Sequence, residues 1–264
     1  MITDTSAIVL KTIPFSESSL IVTILSEKHG KMAVMARGAR RNKNKFGGLL
    51  QPGAILEVSY YYKPTRDVQN LSDVTQKQAT WRIHQQMEKM AIGLATLELC
   101  EQLSHEYEPN PEMSGFLSDF LTWLHDSGSN PRFLFPYIQI RLAHIAGIGI
   151  TLQLPEVASG PESFQEGESA VPVVNEPESK FMCYLNVESG SITEKADNGL
   201  CFGLTKSQTE YLRYIAGGRK ALLLNAEFPI SDIKHLIHHL DAYFQYHLEG
   251  IRGRRSDAIF EQIL

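Results

Sequence analysis

The sequence predicts an α+β protein: a small β-barrel followed by a mostly helical part that carries a small hairpin insertion. Three observations predict it. The first 75 residues alternate short β-branched runs with turn residues. At Thr80 the apolar spacing changes from two residues to three and four. The charge divides near the same place: residues 1–80 hold 11 Lys+Arg against 6 Asp+Glu, and residues 81–264 hold 14 against 24. An acidic chain (net charge -5) with a basic N-terminal part points to an anionic partner for that part.

The strands come first. "SAIVLKT" and "SLIVTILSE" are aliphatic and β-branched, with "SESS" as the turn between them. "GKMAVMARG" is a third strand, opened by the "HGK" turn. "AILEVSYYYK" is a fourth, with Ile55, Glu57, Ser59 and Tyr61 on one face and Leu56, Val58, Tyr60 and Tyr62 on the other. "DVQNLSDVT" is a weak fifth. Five short strands in a small basic unit suit an OB-fold barrel over residues 1–79.

Residues 80–264 read as a helical domain. In "WRIHQQMEKMAIGLATLELCEQLSHEYE" the residues Ile83, Met87, Met90, Leu94, Leu97 and Glu101 form an amphipathic stripe, and "EPNPEM" stops the helix. Phe116, Leu117, Phe120, Leu121 and Leu124 mark a second helix, ended by "SGSNP". "RFLFPYIQIRLAHIAGIGI" is a third, closing near Gly147 and Gly149. "TKSQTEYLRYIAGG" is a fourth, with Thr205 as N-cap and Gly217 as its stop, and "PISDIKHLIHHLDAYFQYHLEGI" is a fifth. An irregular acidic insertion lies around residues 153–203. It holds Glu156, Glu162, Glu166, Glu168, Glu176 and Glu178, and no Lys or Arg occurs in residues 142–179. A hairpin from Phe181 to Lys195 follows within it.

With 264 residues, 43% of them apolar, the chain can bury a sizeable core. No apolar run approaches a membrane span, and "MITDTSAIVLKT" lacks the parts of a secretory signal. Cys100, Cys183 and Cys201 form no close pair, and an odd count argues against a disulfide framework. A soluble, cytoplasmic protein is expected.

Catalytic constellations are poor. Neither GxxxxGK[ST] nor GxGxxG nor GxSxG occurs, and "AGGRK" is a helix stop followed by a turn. His235 and His239 stand four apart on one helix face, the spacing of a metal pair, but no third ligand is apparent, and packing or surface histidines account for them. Tyr60, Tyr61 and Tyr62 offer rings for stacking on bases, although strand alternation turns two of the three inward.

The strongest signal is "RGARRNKNKFGGLLQPG", with five cations in its first nine residues. Residues 28–56 hold seven Lys or Arg and no acid. A plain turn needs no such density. Cations that reach a phosphodiester backbone displace condensed counterions, which gives salt-dependent affinity without base specificity. Lys31, Arg37, Arg40, Arg41, Lys43 and Lys45 are therefore the candidate nucleic-acid contacts, with Asn42 and Asn44 as further phosphate donors and Gly47 and Gly48 allowing close approach. A barrel of this kind also fits an RNA-binding factor, and a hydrolase using His235 and His239 is a third reading.

The order of these segments resembles the bacterial RecO recombination-mediator family. The resemblance rests on the "T-x-AIVL" opening, "E-x-S-L-I-V-T", "HGK", "ARGARR" and "LQP" in the first 60 residues. Beyond them it rests on "LELCEQL", "RFLFPYIQIRLAHIAGIGITLQL" and "YFQYHLEGIRGRRS". It implies an OB-fold and a helical domain. It also implies a nucleoid-associated protein that is not an enzyme, binds single- and double-stranded DNA and anneals complementary strands. Such a protein acts with RecR to load RecA on DNA coated by single-strand-binding protein. It further implies that the helical domain holds the acidic, apolar-ended tail of single-strand-binding protein, for which Arg132, Arg141, Lys206 and Arg213 are the candidate cations. Many members carry a zinc site of two CxxC pairs; here "LQLPEVASG" and "YLNVESGSITEK" stand in that place, so no metal cofactor is expected.

Overall fold

A computed structural model describes residues 1–46, 48–154, 181–219 and 223–257. Five strands, β1 (Ile2–Phe15), β2 (Ser19–Ser26), β3 (Gly30–Ala36), β4 (Ile55–Tyr61) and β5 (Val68–Gln78), form a closed barrel in the order β1-β2-β3-β5-β4. All neighbours are antiparallel except β3 and β5, which run parallel from Ala33↔Val68 to Met35↔Asn70. This is the OB-fold expected. Closure explains why both β1 and β5 extend past the segments that alternation marks: β1 pairs with β4 along its first half and with β2 along its second.

A bulge between Val9 and Lys11 makes that exchange possible. The chain before β4 fills the gap: Gly53 N donates to Val9 O at 2.8 Å, and Val9 N donates to Ala54 O at 2.9 Å. Gly53 has φ +83, and a Cβ there would meet Leu97 and Leu121, so this turn also seats the barrel on the helices.

The barrel encloses Val9, Val22, Ile24, Val34, Val58 and Tyr60, all at most 2% exposed. Its outer face contributes Ile8, Leu10, Leu25 and Ile55 to a second core shared with the helices. Barrel and helical part are thus joined by packing as well as by chain.

The helical part contains α1 (Met87–Leu103), α2 (Pro111–Asp126), α3 (Phe135–Ile145), α4 (Lys206–Ala216) and α5 (Ile230–His247). The first departs from the sequence expectation. Trp81–Gln85 is a single 3-10 turn, Gln86 is extended (φ -124, ψ 126), and only then does α1 begin. The expected stripe holds only in part: Ile83 and Leu97 are buried, but Met87 is 55% exposed, and Ala91, Ile92, Ala95, Thr96, Leu99 and Cys100, outside the stripe, are buried as well. The middle of α1, Ala91 to Leu97, is apolar on every side, as in a buried helix, and α1 packs into the core that the barrel and the other helices share. The expected cap and stop of α4 are present: Thr205 with Gln208 forms a capping box, and the helix ends at Gly217. Asn110, which accepts from Met113 N at 2.9 Å, starts α2.

Between α3 and α4, β7 (Cys183–Asn186) and β8 (Ser191–Thr193) form the expected hairpin. β6 (Thr151–Leu152) and β9 (Cys201–Leu204) extend it to a four-stranded sheet of order β6-β8-β7-β9. The run from Glu156 to Glu178 lies outside the described residues, as does Gly47. Among the described residues no helix is long and apolar enough to cross a membrane.

Candidate nucleic-acid interface

The basic segment is the β3–β4 connection, residues 37–54, lying against the barrel. Its apolar residues point in: Phe46 is 1% exposed and Leu50 5%, both within the barrel core. Thr12 donates its hydroxyl to Leu50 O at 2.8 Å and holds the far end down. With Phe46 and Leu50 committed to the core, the cations between Arg37 and Lys45 are left on the surface.

Those cations divide by what they touch. Arg37, Arg41 and Lys43 are exposed, and their side chains make no hydrogen bond or ion pair among the described residues. Arg40 is exposed but anchored. Its Nη1 donates to Ser16 O at 3.0 Å and its backbone N–H to Ser18 O at 3.0 Å, tying the loop to the β1–β2 turn. Lys45 donates to the carbonyl of Ser72 on β5, and its ammonium stands 5.2 Å from the Phe46 ring centre. Asn44 folds the loop internally, donating to Arg41 O and accepting from Phe46 N, while Asn42 is exposed.

Lys31 does not join this group. It is half-buried where β3 meets α1, and its ammonium donates to Glu101 O at 2.9 Å, near the end of that helix. A cation there meets the negative end of the helix dipole. Tyr107 N donates to Lys31 O at 2.9 Å in the same seam.

The three tyrosines follow the alternation. Tyr60 is inside the barrel, its hydroxyl 2.6 Å from His29 Nδ1. Tyr62 stacks on His29 at 4.0 Å between ring centres, and Tyr61 is 47% exposed. Sequence reasoning missed a different ring: Phe15, 46% exposed, at the end of β1. Its strand continues past the bulge and through Pro14, a residue that reads as a strand breaker, so periodicity carries little sign of it.

The tail-site candidates lie beside and on α3 (Arg132, Arg141) and on α4 (Lys206, Arg213). Arg141 lines a groove of about 1060 Å³ whose walls include Phe116, Phe120, Trp123 and Tyr137, and its Nη2 lies 4.0 Å from Glu112. Arg132 stacks on Phe133 at 4.7 Å, with its Nε buried and unpartnered among the described residues. Lys206 is exposed at the start of α4. Arg213, on the same helix, acts electrostatically on Cys183.

His239 is a packing residue. Its ring stacks on Phe202 at 4.5 Å between centres, while His235 is exposed. Burial, with His235 and His238 adding to it, lowers the His239 pKa from 6.5 to about 4. The unfolded chain therefore binds a proton that the fold rejects between those values. This component of stability is complete above pH 6.5 and is lost as the pH falls toward 4. The melting temperature of His239→Phe should accordingly fall less than the parent's between pH 7 and pH 4.5; equal falls would contradict the assignment.

The residues do not fit the zinc site of the two CxxC pairs. Cys183 is buried, its Sγ 3.1 Å from Thr209 Oγ1, and the register Cys183↔Leu204, Asn186↔Cys201 sets Cys201 at the other end of the strand pair. No group of three or more His, Cys, Asp or Glu that could hold a metal occurs among the described residues.

Two family models match the chain: "Recombination protein O N terminal" over residues 1–79 and "Recombination protein O C terminal" over residues 84–163. The chain belongs to the recombination protein O family. Curated relatives agree. It is 38% identical over 144 residues to the DNA repair protein RecO of Salinibacter ruber, covering 54% of this chain and 55% of that one. To the DNA repair protein RecO of Myxococcus xanthus it is 33% identical over 142 residues, 53% and 57% of the two chains. The chain thus spans little more than half the length of these two. Against that of Pelodictyon phaeoclathratiforme it is 25% identical over 276 residues, covering 100% of this chain and 99% of the relative. Membership in the RecO family supports a role in DNA repair and recombination.

Proposed function

We propose that this RecO-family protein is a non-enzymatic recombination mediator. In this reading residues 1–79 bind single- and double-stranded DNA, and residues 80–264 meet protein partners. It anneals complementary strands and, with RecR, helps load RecA on DNA coated by single-strand-binding protein. The observation that carries the reading is the unpartnered set Arg37, Arg41 and Lys43, held outward on a closed barrel by the buried Phe46 and Leu50. Annealing requires no bond chemistry; it requires cations that screen two phosphate backbones while the bases stay free to pair. In the helical part, the aromatic walls of the groove, with Arg141 beside Glu112 and Asp119, support the reading through their fit to the apolar end of such a tail.

An annealing assay with complementary oligonucleotides, bare and coated with single-strand-binding protein, tests this. The protein should accelerate both reactions, and added salt should abolish the effect. No acceleration of either would sink the mediator reading. RNA bound more tightly than DNA of the same sequence would favour an RNA-binding factor, because the 2′-OH is the group that separates them.

A further inference from the structure

We propose that Phe15 is a base-stacking residue that makes the barrel favour single strands over duplex. The proposal rests on the DNA-binding reading above and adds what that reading lacks, a group that meets a base. Charge alone favours the duplex, whose phosphates are denser, and so cannot give a preference for single strands. An aromatic face does, since only an unpaired base has a face to offer, and every base has one.

Position singles out this ring. Phe15 closes β1, pairs with Ser19, and has no aromatic partner among the described residues. The next residue, Ser16, has φ +53, a left-handed conformation that a residue with a Cβ adopts only when its surroundings hold it there. What holds it is Arg40, which donates to both Ser16 O and Ser18 O. The turn that carries Phe15 is thereby fastened to the cationic loop, so one nucleotide can set its phosphate on the loop and its base on the ring. Arg40 is then a positioning residue as much as a phosphate contact. Glu17, exposed on the same turn, is the one acid there and discourages phosphate from lying over the turn itself.

The other candidate rings fail on geometry. Tyr60 is enclosed, and Tyr62 has a face covered by His29. Tyr61 is exposed, but it pairs with Ile2, at the opposite end of β1 from Phe15.

Binding of an oligo-dT strand and of a hairpin duplex, measured for the parent, Phe15→Ala, Phe15→Trp and Tyr61→Ala, decides the matter. Phe15→Ala should weaken dT binding by about 5- to 100-fold, with duplex affinity and salt dependence unchanged. Phe15→Trp should restore dT binding, its fluorescence quenched by dT and not by the duplex. Tyr61→Ala should behave as the parent. The proposal is overturned if Phe15→Ala binds dT like the parent, loses duplex affinity equally, or is matched by Tyr61→Ala. A parent protein that binds neither probe overturns the DNA-binding reading itself.

Discussion

Arg254→Met should destabilise the fold by about 3–5 kcal/mol, the cost of leaving a buried carboxylate without its ion partner. Arg254 has a side chain only 5% exposed, and Asp241 on α5 only 19%. Nη1 and Nη2 grip the two Asp241 oxygens in a fork, the second at 2.7 Å, and Nε donates to Asp257 at 2.9 Å. Gln139 of α3 also donates to Asp241, at 2.7 Å, and the guanidinium lies 4.7 Å over the ring of Phe135. The network therefore ties the chain after α5 to the two helices at the centre of the second core. Methionine keeps much of the stem but strands Asp241 with a single amide donor. Thermal melts should fall by roughly 10 °C for a chain of this size. The double variant Arg254→Met, Asp241→Leu should recover much of the loss, because it removes the stranded charge along with its partner. A single variant that melts like the parent, or a double variant no better than the single, would show that the pair contributes little.

This network illustrates what the sequence hides. "GIRGRRS" looks like another basic patch, yet Arg254 is interior, and the backbones of Arg255 and Ser256 donate to Glu98 of α1. Nothing local separates a buried arginine from a solvated one; the separation lies in Asp241, thirteen positions away. The barrel was legible because half-buried strands print their alternation: Leu56, Val58 and Tyr60 face in and Glu57 and Tyr61 out, as the pattern requires. Its parallel closure of β3 on β5 was not, since a register between distant segments leaves no period. The stripe proposed for α1, buried at Ile83 and Leu97 but not the only buried face, fell short for the opposite reason. Periodicity presumes one wet face, and α1 has scarcely one. In the candidate site, the cationic loop was plain from charge density. The division of its labour was not, because the partners of Arg40 and Lys45 are the carbonyls of Ser16 and Ser72, contributed by the β1–β2 turn and by β5, far along the chain.

Replacing Arg37, Arg41 and Lys43 together by Ala should weaken single-stranded DNA binding by about 100-fold at 0.1 M salt. Each phosphate neutralised on a single strand adds about 0.7 to the slope of log affinity against log salt, so three lost contacts remove about 2 log units at that concentration. The three side chains are exposed and bond to nothing described, so the fold should be unaffected, and the melting temperature serves as the control. Arg40→Ala should differ in kind. It removes one contact from the slope but also releases the β1–β2 turn, so its loss on a single strand should exceed its loss on a duplex.

The most direct test of the account is a salt titration of oligo-dT affinity for the parent and for this triple variant. The account predicts parallel loss of affinity on every sequence tried, with a slope shallower by about two for the variant. Equal slopes for the two proteins would contradict it and remove the β3–β4 loop from the DNA-binding surface.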